Sequence, residues 1–217
     1  MVAEGILELF DEQLRPHGVV SYGGGWTMVF RAPEDGDIER LVAELRAHEG
    51  YREWKYYEHD GPELRERLLA AGLEPEDEET VLVAEAASIP PPPPDVELRE
   101  DLDAFMGLVH TVFGNRGHGF PDDAVPVVAF VDGQAVSCGR VDLEPGVEFA
   151  GMFGGVTLPE FRGRGLYRAT LARRAELARE RGYRWLYVDA LPTSRPILER
   201  VGFVAITTTT PFVVPPT

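Results

Sequence analysis

The sequence predicts an α/β protein with a mixed sheet, divided into two parts by a run of prolines. Short apolar or alternating segments take turns with amphipathic segments of helical period along most of the chain. In the C-terminal part, hairpin turns come first and a strand–helix–strand crossover follows, which is the order of a mixed sheet. Pro90 to Pro94 can neither continue a helix nor sit in a central strand.

The proline run marks the boundary between the two parts. Consecutive prolines adopt the extended polyproline II form, about 3.1 Å per residue, and act as a stiff spacer. An SH3-type ligand is the functional alternative, but no basic residue flanks the run. We therefore divide the chain into an N-terminal part (1–89), a linker (90–94) and a C-terminal part (95–217).

The elements of the C-terminal part follow from periodicity and turn residues. Asp132-Gly133 and Pro145-Gly146 are typical of hairpin turns, and residues 115–123 predict a loop because they hold glycines and a proline. In chain order we predict strands at 95–99, 125–131, 135–141, 147–158, 183–190 and 204–214, and helices at 102–113, 164–181 and 194–201.

The N-terminal part partly repeats the second half of the C-terminal part. Gly50-Tyr51-Arg52 precedes an aromatic strand, as Gly182-Tyr183-Arg184 does. A short helix follows each strand and ends before a glycine and an apolar residue, and an amphipathic helix precedes each strand. This pattern favours a duplicated supersecondary unit, with chance similarity as the alternative.

Charge and composition limit the function. The net charge is −16, and residues 1–95 carry 22 of the 37 acids but 8 of the 21 bases. Nucleic acid is not an expected partner, because the phosphate backbone needs a basic surface. The acidity serves either solubility or the attraction of a cationic substrate such as an amine.

Targeting, redox and metal signals are also absent from the sequence. No apolar run approaches the ~20 residues of a membrane span, and the first residues lack a signal-peptide pattern, so a cytoplasmic protein without membrane contact is expected. The single cysteine, Cys138, has strand-like neighbours, which favours a buried inert thiol over a nucleophile. The histidines show no ligand spacing, so no metal site is expected.

The segment from Val156 to Arg168 carries the chemistry. A strand ends near Leu158, and a tight loop with Arg162, Gly163 and Gly165 opens a long helix. Glycines let backbone N–H groups approach a ligand, and the N–H groups at a helix start bind anions. The loop predicts a pyrophosphate site, with a purely structural turn as the alternative. It is neither a P-loop nor a Rossmann fingerprint, because the residues that follow do not fit.

This segment resembles the Arg/Gln-x-x-Gly-x-Gly/Ala coenzyme A motif of the GNAT (GCN5-related) N-acetyltransferases. Arg162 takes the first place and Gly165 the fourth, while Tyr167 stands where a small residue is usual. Residues 194–203 are similar to the family's second signature. The asparagine and tyrosine usual there are replaced by Leu191 and Leu198, so the phenol that usually protonates the leaving thiolate is missing.

The resemblance covers about 120 residues and implies a GNAT fold for the C-terminal part. It implies an acetyl-CoA-dependent N-acetyltransferase for the amine of a small molecule or peptide; the alternative is a catalytically weak acyl-CoA-binding or regulatory module. Glu148 and His118 are the candidate bases. A homodimer is an open alternative to a monomer. The residues implied in coenzyme A binding are Val156, Thr157, Arg162, Gly163, Arg164, Gly165, Leu166, Tyr167 and Ser194.

The N-terminal part is similar to a degenerate copy of the second half of the same fold. Residues 32–39 stand where the loop would be and are acidic, so coenzyme A is not expected to bind there. A tandem arrangement with one working site is therefore our preferred architecture. We expect the N-terminal part to pack against the C-terminal part and to cover its acceptor side.

Overall fold

A computed structural model describes residues 5–22, 25–114 and 120–215 of the chain. Its helices and strands alternate along most of this length. In chain order they are α1 (Ile6–Leu14), β1 (Val19–Tyr22), β2 (Trp26–Val29), α2 (Ile38–Ala47), β3 (Tyr51–Tyr57), α3 (Pro62–Ala70), β4 (Glu74–Pro75), β5 (Glu79–Glu85), β6 (Glu97–Arg99), α4 (Leu102–Phe113), β7 (Ala124–Val131), β8 (Gln134–Asp142), β9 (Phe149–Thr157), α5 (Leu166–Glu180), β10 (Trp185–Ala190), α6 (Arg195–Arg200) and β11 (Val204–Val213).

The strands join into one mixed sheet in the order β1-β2-β3-β11-β5-β10-β9-β8-β7-β6, with β4 pairing beside β11. The pairs β2–β3 and β9–β10 are parallel, and each is joined by a helix, α2 or α5. The other pairs are antiparallel. The sheet is therefore mixed, as the sequence predicts.

The two parts of the chain share this sheet by interleaving their strands. β5 belongs to the N-terminal part, yet it lies between β10 and β11 and pairs with both. β11 belongs to the C-terminal part, yet its second half pairs with β3. The proline linker therefore does not separate two independent sheets.

Helices cover both faces of the sheet. α5 and α6 pack on one face together with Leu82, Leu186 and Val188, and α2 and α3 pack on the same face beneath Trp54 and Tyr56. α1 packs on the opposite face against Tyr57, Val81 and Trp185, and α4 covers β7, β8 and the end of β9 there. No helix of the described residues is long and apolar enough to cross a membrane.

Alternation along each central strand sends successive side chains to opposite faces. On β10, Leu186 and Val188 face α5, so Tyr187 and Asp189 face the α1 side. On β3, the same alternation puts Glu53 and Lys55 on the α1 side with Tyr57. The α1 face of the sheet therefore carries charged side chains from both parts of the chain.

Two units of the chain run through the sheet in the same order. The N-terminal unit is β2–α2–β3–α3–β5 and the C-terminal unit is β9–α5–β10–α6–β11. In each unit the first two strands are parallel, and the last strand is inserted beside the strands of the other unit.

Most element boundaries of the C-terminal part agree with the sequence patterns to within two residues. The helix α4 begins and ends at the predicted residues. The Asp132-Gly133 hairpin turn has positive φ angles at both positions, 51° and 78°, as a type I′ turn requires. The predicted strand at 147–158 starts two residues later, because Val147 and Glu148 lie in the loop that contacts α1.

The interleaving predicts that residues 95–217 will not form a stable domain alone. Without β5, strands β10 and β11 lose their shared neighbour, and the core loses Val81, Leu82 and Val83, which are fully buried. Burial of three such side chains contributes about 5–9 kcal/mol, which is comparable to the whole stability of a typical domain.

The measurement compares thermal unfolding and soluble yield of the 95–217 fragment with those of the full chain. We expect the fragment to aggregate or to lack a cooperative transition, and co-expression with residues 1–94 to restore one. A cooperative transition of the isolated fragment within a few degrees of the full chain would contradict the prediction.

Candidate active site

Strands β9 and β10 separate at their C-terminal ends. Their parallel pairing runs from Trp185 opposite Phe149 to Tyr187 opposite Gly151 and then stops. Beyond that point, β9 continues beside β8 to Thr157, while β10 continues beside β5 to Ala190. A wedge opens between the two strands, and the β9 edge that faces it has no strand partner among the described residues.

Glycines shape the β9 wall of this wedge. A Cβ on Gly151 would lie 2.4 Å from Cε2 of Phe153 and 3.1 Å from the hydroxyl of Tyr187. Gly154 has a φ of 63°, and the pairing of β8 with β9 shifts register beside it. The glycines therefore allow a bulge and close aromatic packing at the place where the strands part.

The wedge ends at the N-terminus of α5. Gly165 is the N-cap residue, with a φ of 78°, and no side chain caps the helix. A Cβ on Gly165 would meet nothing within 4 Å, so the positive φ, not crowding, selects glycine there. Because the first turn of α5 holds no acidic residue, its free N–H groups can receive an anion.

Arginines surround this helix start. Arg162 is exposed, and its Nε donates a 3.2 Å hydrogen bond to the carbonyl oxygen of Thr157, which ties the loop to the end of β9. Arg164 is also exposed and lies over the ring of Phe161, 5.3 Å from the centroid. Both arginines lie within three residues of the N-cap residue Gly165, where their charge can help to bind a phosphate.

Tyr167 points into the protein rather than out of the loop. A Cβ on Gly155 would lie 2.9 Å from Cε2 of Tyr167, so the ring lies between α5 and β9. Burial raises the pKa of Tyr167, against the opposing charge of Arg174, which is itself buried. The guanidinium of Arg174 donates to the carbonyl oxygens of Thr170 and Arg140, which anchors α5 to β8.

The helix α2, which follows β2 as α5 follows β9, starts differently. Its N-cap residue is Asp37, whose carboxylate accepts a 2.9 Å hydrogen bond from the backbone N–H of Arg40. The carboxylate of Asp35 accepts a second bond, 3.0 Å long, from the N–H of Asp37 itself. Carboxylates therefore already occupy this helix start, which leaves it unsuited to a phosphate.

The structure brings together most of the residues predicted to bind coenzyme A. Val156 and Thr157 end β9, and Arg162 to Tyr167 follow within the loop and the first turn of α5. Ser194 lies apart from them, at the N-terminus of α6 beyond the end of β10, and its hydroxyl donates to the carbonyl oxygen of Leu191.

The two predicted bases do not meet this loop. Glu148 is exposed and precedes β9, so it lies about 10 Å before the point of separation at ~3.3 Å per residue. The side chain of Gln13 holds it there, with Oε1 accepting from the Glu148 backbone N–H at 2.7 Å. His118 lies outside the described residues.

A match to the model of the acetyltransferase (GNAT) family covers residues 89–203, which is more than half of the chain. The chain belongs to this family. No curated protein matches the sequence. The family uses acetyl-CoA as its co-substrate and transfers the acetyl group to an amine.

Solved structures show the same GNAT fold over nearly the full chain. A GCN5-related N-acetyltransferase from Kribbella flavida is 16% identical, with a TM-score of 0.69, and the match covers 100% of this chain and 95% of that one. A putative GNAT acetyltransferase from Novosphingobium aromaticivorans is 17% identical, with a TM-score of 0.60 and coverages of 96% and 91%. A functionally unknown conserved protein from Staphylococcus epidermidis is 12% identical, with a TM-score of 0.60 and coverages of 94% and 96%.

The phenol that the GNAT signature would carry has no counterpart on α6. Leu198, at its place, is fully buried in the core and faces away from solvent. Tyr187 is a different phenol, and it lies at the point where β9 and β10 separate, packed against Phe10, Phe149 and Phe153. Burial and then the charge of Asp189 raise the pKa of Tyr187 well above its usual value, so the phenol stays protonated.

Sequence reasoning missed Tyr187, Asp189 and Lys55. Asp189 lies two residues beyond Tyr187 on the same face, and its Oδ2 is 2.5 Å from Nζ of Lys55 on β3. The available signals were an aspartate in an otherwise apolar strand, Trp185–Ala190, and the fact that Lys55 is the chain's only lysine. Neither signal predicts that the side chains of β3 and β10 meet.

Two glutamates complete a charged group around Lys55. Oε2 of Glu79 lies 3.9 Å from Nζ of Lys55, and Glu53, on the same face of β3, is 3% exposed. Burial raises the pKa of Glu53 to about 7, although Lys55 opposes the shift. Burial likewise raises the pKa of Glu79 to about 7. We call Glu53, Lys55, Glu79 and Asp189 the Lys55 cluster.

The raised pKa of Glu53 predicts a pH dependence of stability. A carboxyl whose pKa is higher in the folded state than its usual 4.5 binds its proton more tightly when folded. Its contribution to the free energy of unfolding therefore falls as the pH rises from about 4.5 through 7. We expect Glu53→Gln to gain stability relative to the wild type between pH 5 and pH 8.

Chemical denaturation at pH 5 and pH 8 measures the free energy of unfolding of wild type and Glu53→Gln. Glu79 titrates in both proteins, so its titration is present on both sides of the comparison. Glu66→Gln, at an exposed position of α3, is the matched control and should show no pH-dependent difference. If the difference between wild type and Glu53→Gln is the same at pH 5 and pH 8, Glu53 has no raised pKa.

Proposed function

We propose that this protein is an acetyl-CoA-dependent N-acetyltransferase that acts on the amine of a small molecule or peptide. The observation that carries the proposal is the wedge between β9 and β10, which leads to the uncapped N-terminus of α5. The wedge offers an open strand edge for an extended chain, and the helix start offers N–H groups and arginines for a pyrophosphate. Acetyl-CoA combines both features in one molecule.

The residues that would hold acetyl-CoA follow from this arrangement. Backbone N–H groups at Gly163 and Gly165, with Arg162 and Arg164, would bind the pyrophosphate. The edge of β9 up to Thr157 would bind the pantetheine arm. The thioester would then lie where the strands separate, and fixing it there beside the amine lowers the barrier by proximity.

Two side chains on β10 suit the proton transfers. We propose Asp189 as the base in place of Glu148, because its Oδ1 is buried at the wedge and has no hydrogen-bond partner among the described residues. We propose that Tyr187 stabilises the departing thiolate by donating a hydrogen bond. A phenol that stays protonated can serve as that donor although α6 carries Leu198.

The N-terminal part fits a degenerate GNAT-like unit, which we include in the proposal. The unit β2–α2–β3–α3–β5 has the same order and the same parallel pair as β9–α5–β10–α6–β11. Its helix start is capped by Asp37, whereas that of α5 is free. One coenzyme A site is therefore expected for the pair of units.

A catalytically weak acyl-CoA-binding module is the second candidate, and the buried Leu198 at the tyrosine place favours it. Release of free thiol from acetyl-CoA with a panel of amines separates the two functions. We expect turnover by the wild type and a kcat at least about tenfold lower for Tyr187→Phe, because one buried hydrogen-bond donor is lost. The dissociation constant for acetyl-CoA should not change.

The control for this variant is Tyr183→Phe, whose hydroxyl donates to the carbonyl oxygen of Glu144 outside the wedge. It should keep the wild-type kcat. Binding of acetyl-CoA without turnover for any amine would support the module, and an unchanged kcat for Tyr187→Phe would remove that residue from the mechanism.

Gly165→Val is expected to abolish tight acetyl-CoA binding. The change forces a β-branched residue into a positive φ of 78°, so the helix start shifts away from the geometry that presents its N–H groups. At 100 times its dissociation constant, acetyl-CoA adds about 2.7 kcal/mol to the stability of the wild type. Thermal scans with and without acetyl-CoA should show this gain for the wild type and not for the variant.

Gly146→Val is the matched control for backbone strain. Gly146 has a φ of 87° and open space around its Cβ, and it lies in the turn between β8 and β9, far from the loop. It should lose a similar amount of stability yet keep the shift with acetyl-CoA. Equal shifts in Gly165→Val and wild type would mean that the pyrophosphate binds elsewhere.

A further inference from the structure

The Lys55 cluster has more negative than positive charge. Glu53, Glu79 and Asp189 face one ammonium group, so the cluster carries a net charge of −2 when all four groups are ionised. Burial alone would lower the pKa of Lys55, but the three carboxylates raise it well above its usual value, so Lys55 stays charged. Once the pH exceeds about 7 and both glutamates are ionised, one lysine therefore does not neutralise the cluster.

Two carboxylate oxygens in this cluster have no partner. Oε1 of Glu53 and Oδ1 of Asp189 are buried and accept no hydrogen bond from any described residue. Glu53 is 97% buried, since its exposed fraction is 3%, and a buried carboxylate oxygen without a donor is costly. Lys55 binds the other oxygen of Asp189, so these acceptors are left for a different donor.

The cluster adjoins the wedge and opens to solvent on one side. Asp189 lies two residues past Tyr187, where the pairing of β10 with β9 ends. Glu79, at the first position of β5, is the more exposed member, with 22% of its side chain accessible. Glu79 is therefore the member that a ligand at the wedge meets from solvent on the α1 face, and Glu53 is buried on that same face beside Lys55.

The aromatic edge of the N-terminal part lies close by. Tyr51, at the start of β3, stacks against Trp26 with 4.6 Å between ring centroids, and its hydroxyl donates to Glu76 at 3.2 Å. Burial raises the pKa of Tyr22 on β1 to about 12, and the charges of Glu144, Asp142 and Lys55 also act on it. Rings and further carboxylates therefore border the cluster, which is a suitable setting for an alkylammonium chain.

We propose that the Lys55 cluster is a subsite for a second ammonium group, so that the acceptor is an aliphatic diamine or polyamine. The proposal rests on the acetyltransferase function proposed above and names its substrate class. One amine nitrogen would lie at Asp189 beside the thioester, and a second cationic nitrogen would be held by Glu53 and Glu79. Both glutamates come from the N-terminal part, which thereby determines acceptor specificity.

Cation binding also accounts for the unpartnered oxygens. The two nitrogens of a diamine would supply one orphan acceptor each, the reacting nitrogen donating to Oδ1 of Asp189 and the second ammonium group to Oε1 of Glu53. A monoamine would supply the nitrogen at Asp189 alone and leave both glutamates to share Lys55. The subsite therefore discriminates between a diamine and a monoamine of equal chain length.

The test uses the full chain, with 1,4-diaminobutane and butylamine as probes. In steady-state acetylation, we expect kcat/KM for the diamine to exceed that for the monoamine by at least about tenfold, the size of one buried charge-assisted contact. In Glu79→Gln and Glu53→Gln this preference should fall to about threefold or less. Glu78→Gln, an exposed neighbour outside the cluster, should keep the wild-type preference.

Calorimetric titration of the diamine without acetyl-CoA separates this proposal from the proposed function. Diamine binding that is lost in Glu79→Gln and kept in Glu78→Gln supports the subsite even if no amine is acetylated. Acetylation of butylamine with no preference for the diamine overturns the subsite and leaves the transferase function in place. An equal preference in wild type and both cluster variants also overturns it.

Discussion

The insertion of β5 between β10 and β11 is the constraint on which the rest of the structure depends. It places an N-terminal strand beside the strand that forms one wall of the wedge, and it brings β11 back to pair with β3. Neither part of the chain can then close its sheet alone. The wedge owes its open shape to the same arrangement, because β10 follows β5 after its pairing with β9 has ended.

The same insertion explains how side chains distant in sequence meet at the candidate site. Lys55 and Asp189 are 134 residues apart, yet their charged atoms are in contact. The bond spans β3 and β10, which are not neighbours in the sheet. Both β11 and β5 lie between them, so the Lys55 and Asp189 side chains meet over the α1 face of the sheet. The cluster therefore links β3 of the N-terminal unit to β10 of the C-terminal unit through side chains.

Local signals in the sequence were enough to locate the glycine-rich loop before α5 and most C-terminal elements. Arg162 to Gly165 form a contiguous motif, and α4 has a regular apolar period, so neither depends on distant partners. The sequence predicts Glu148 as a base because it lies at the start of β9. The wedge, however, begins three residues later, at Gly151, so Glu148 lies outside it. Asp189 and the cluster could not be found, because strand neighbours in this interleaved sheet do not follow sequence order. The partial sequence repeat between the two parts predicts similar units, but it does not predict how their strands interleave.

The position of β11 has a consequence for synthesis of the chain on the ribosome. β11 emerges after every other described strand, and it lies between β3 and β5, both made more than a hundred residues earlier. Until it arrives, one edge of β3 and one edge of β5 are unpaired, and the interior of β5, residues Val81 to Ala84, is apolar on both faces, a state that favours association with other chains. Contacts of such long sequence separation also slow folding. A nascent chain of this protein therefore depends on protection of these two edges until β11 has left the ribosome.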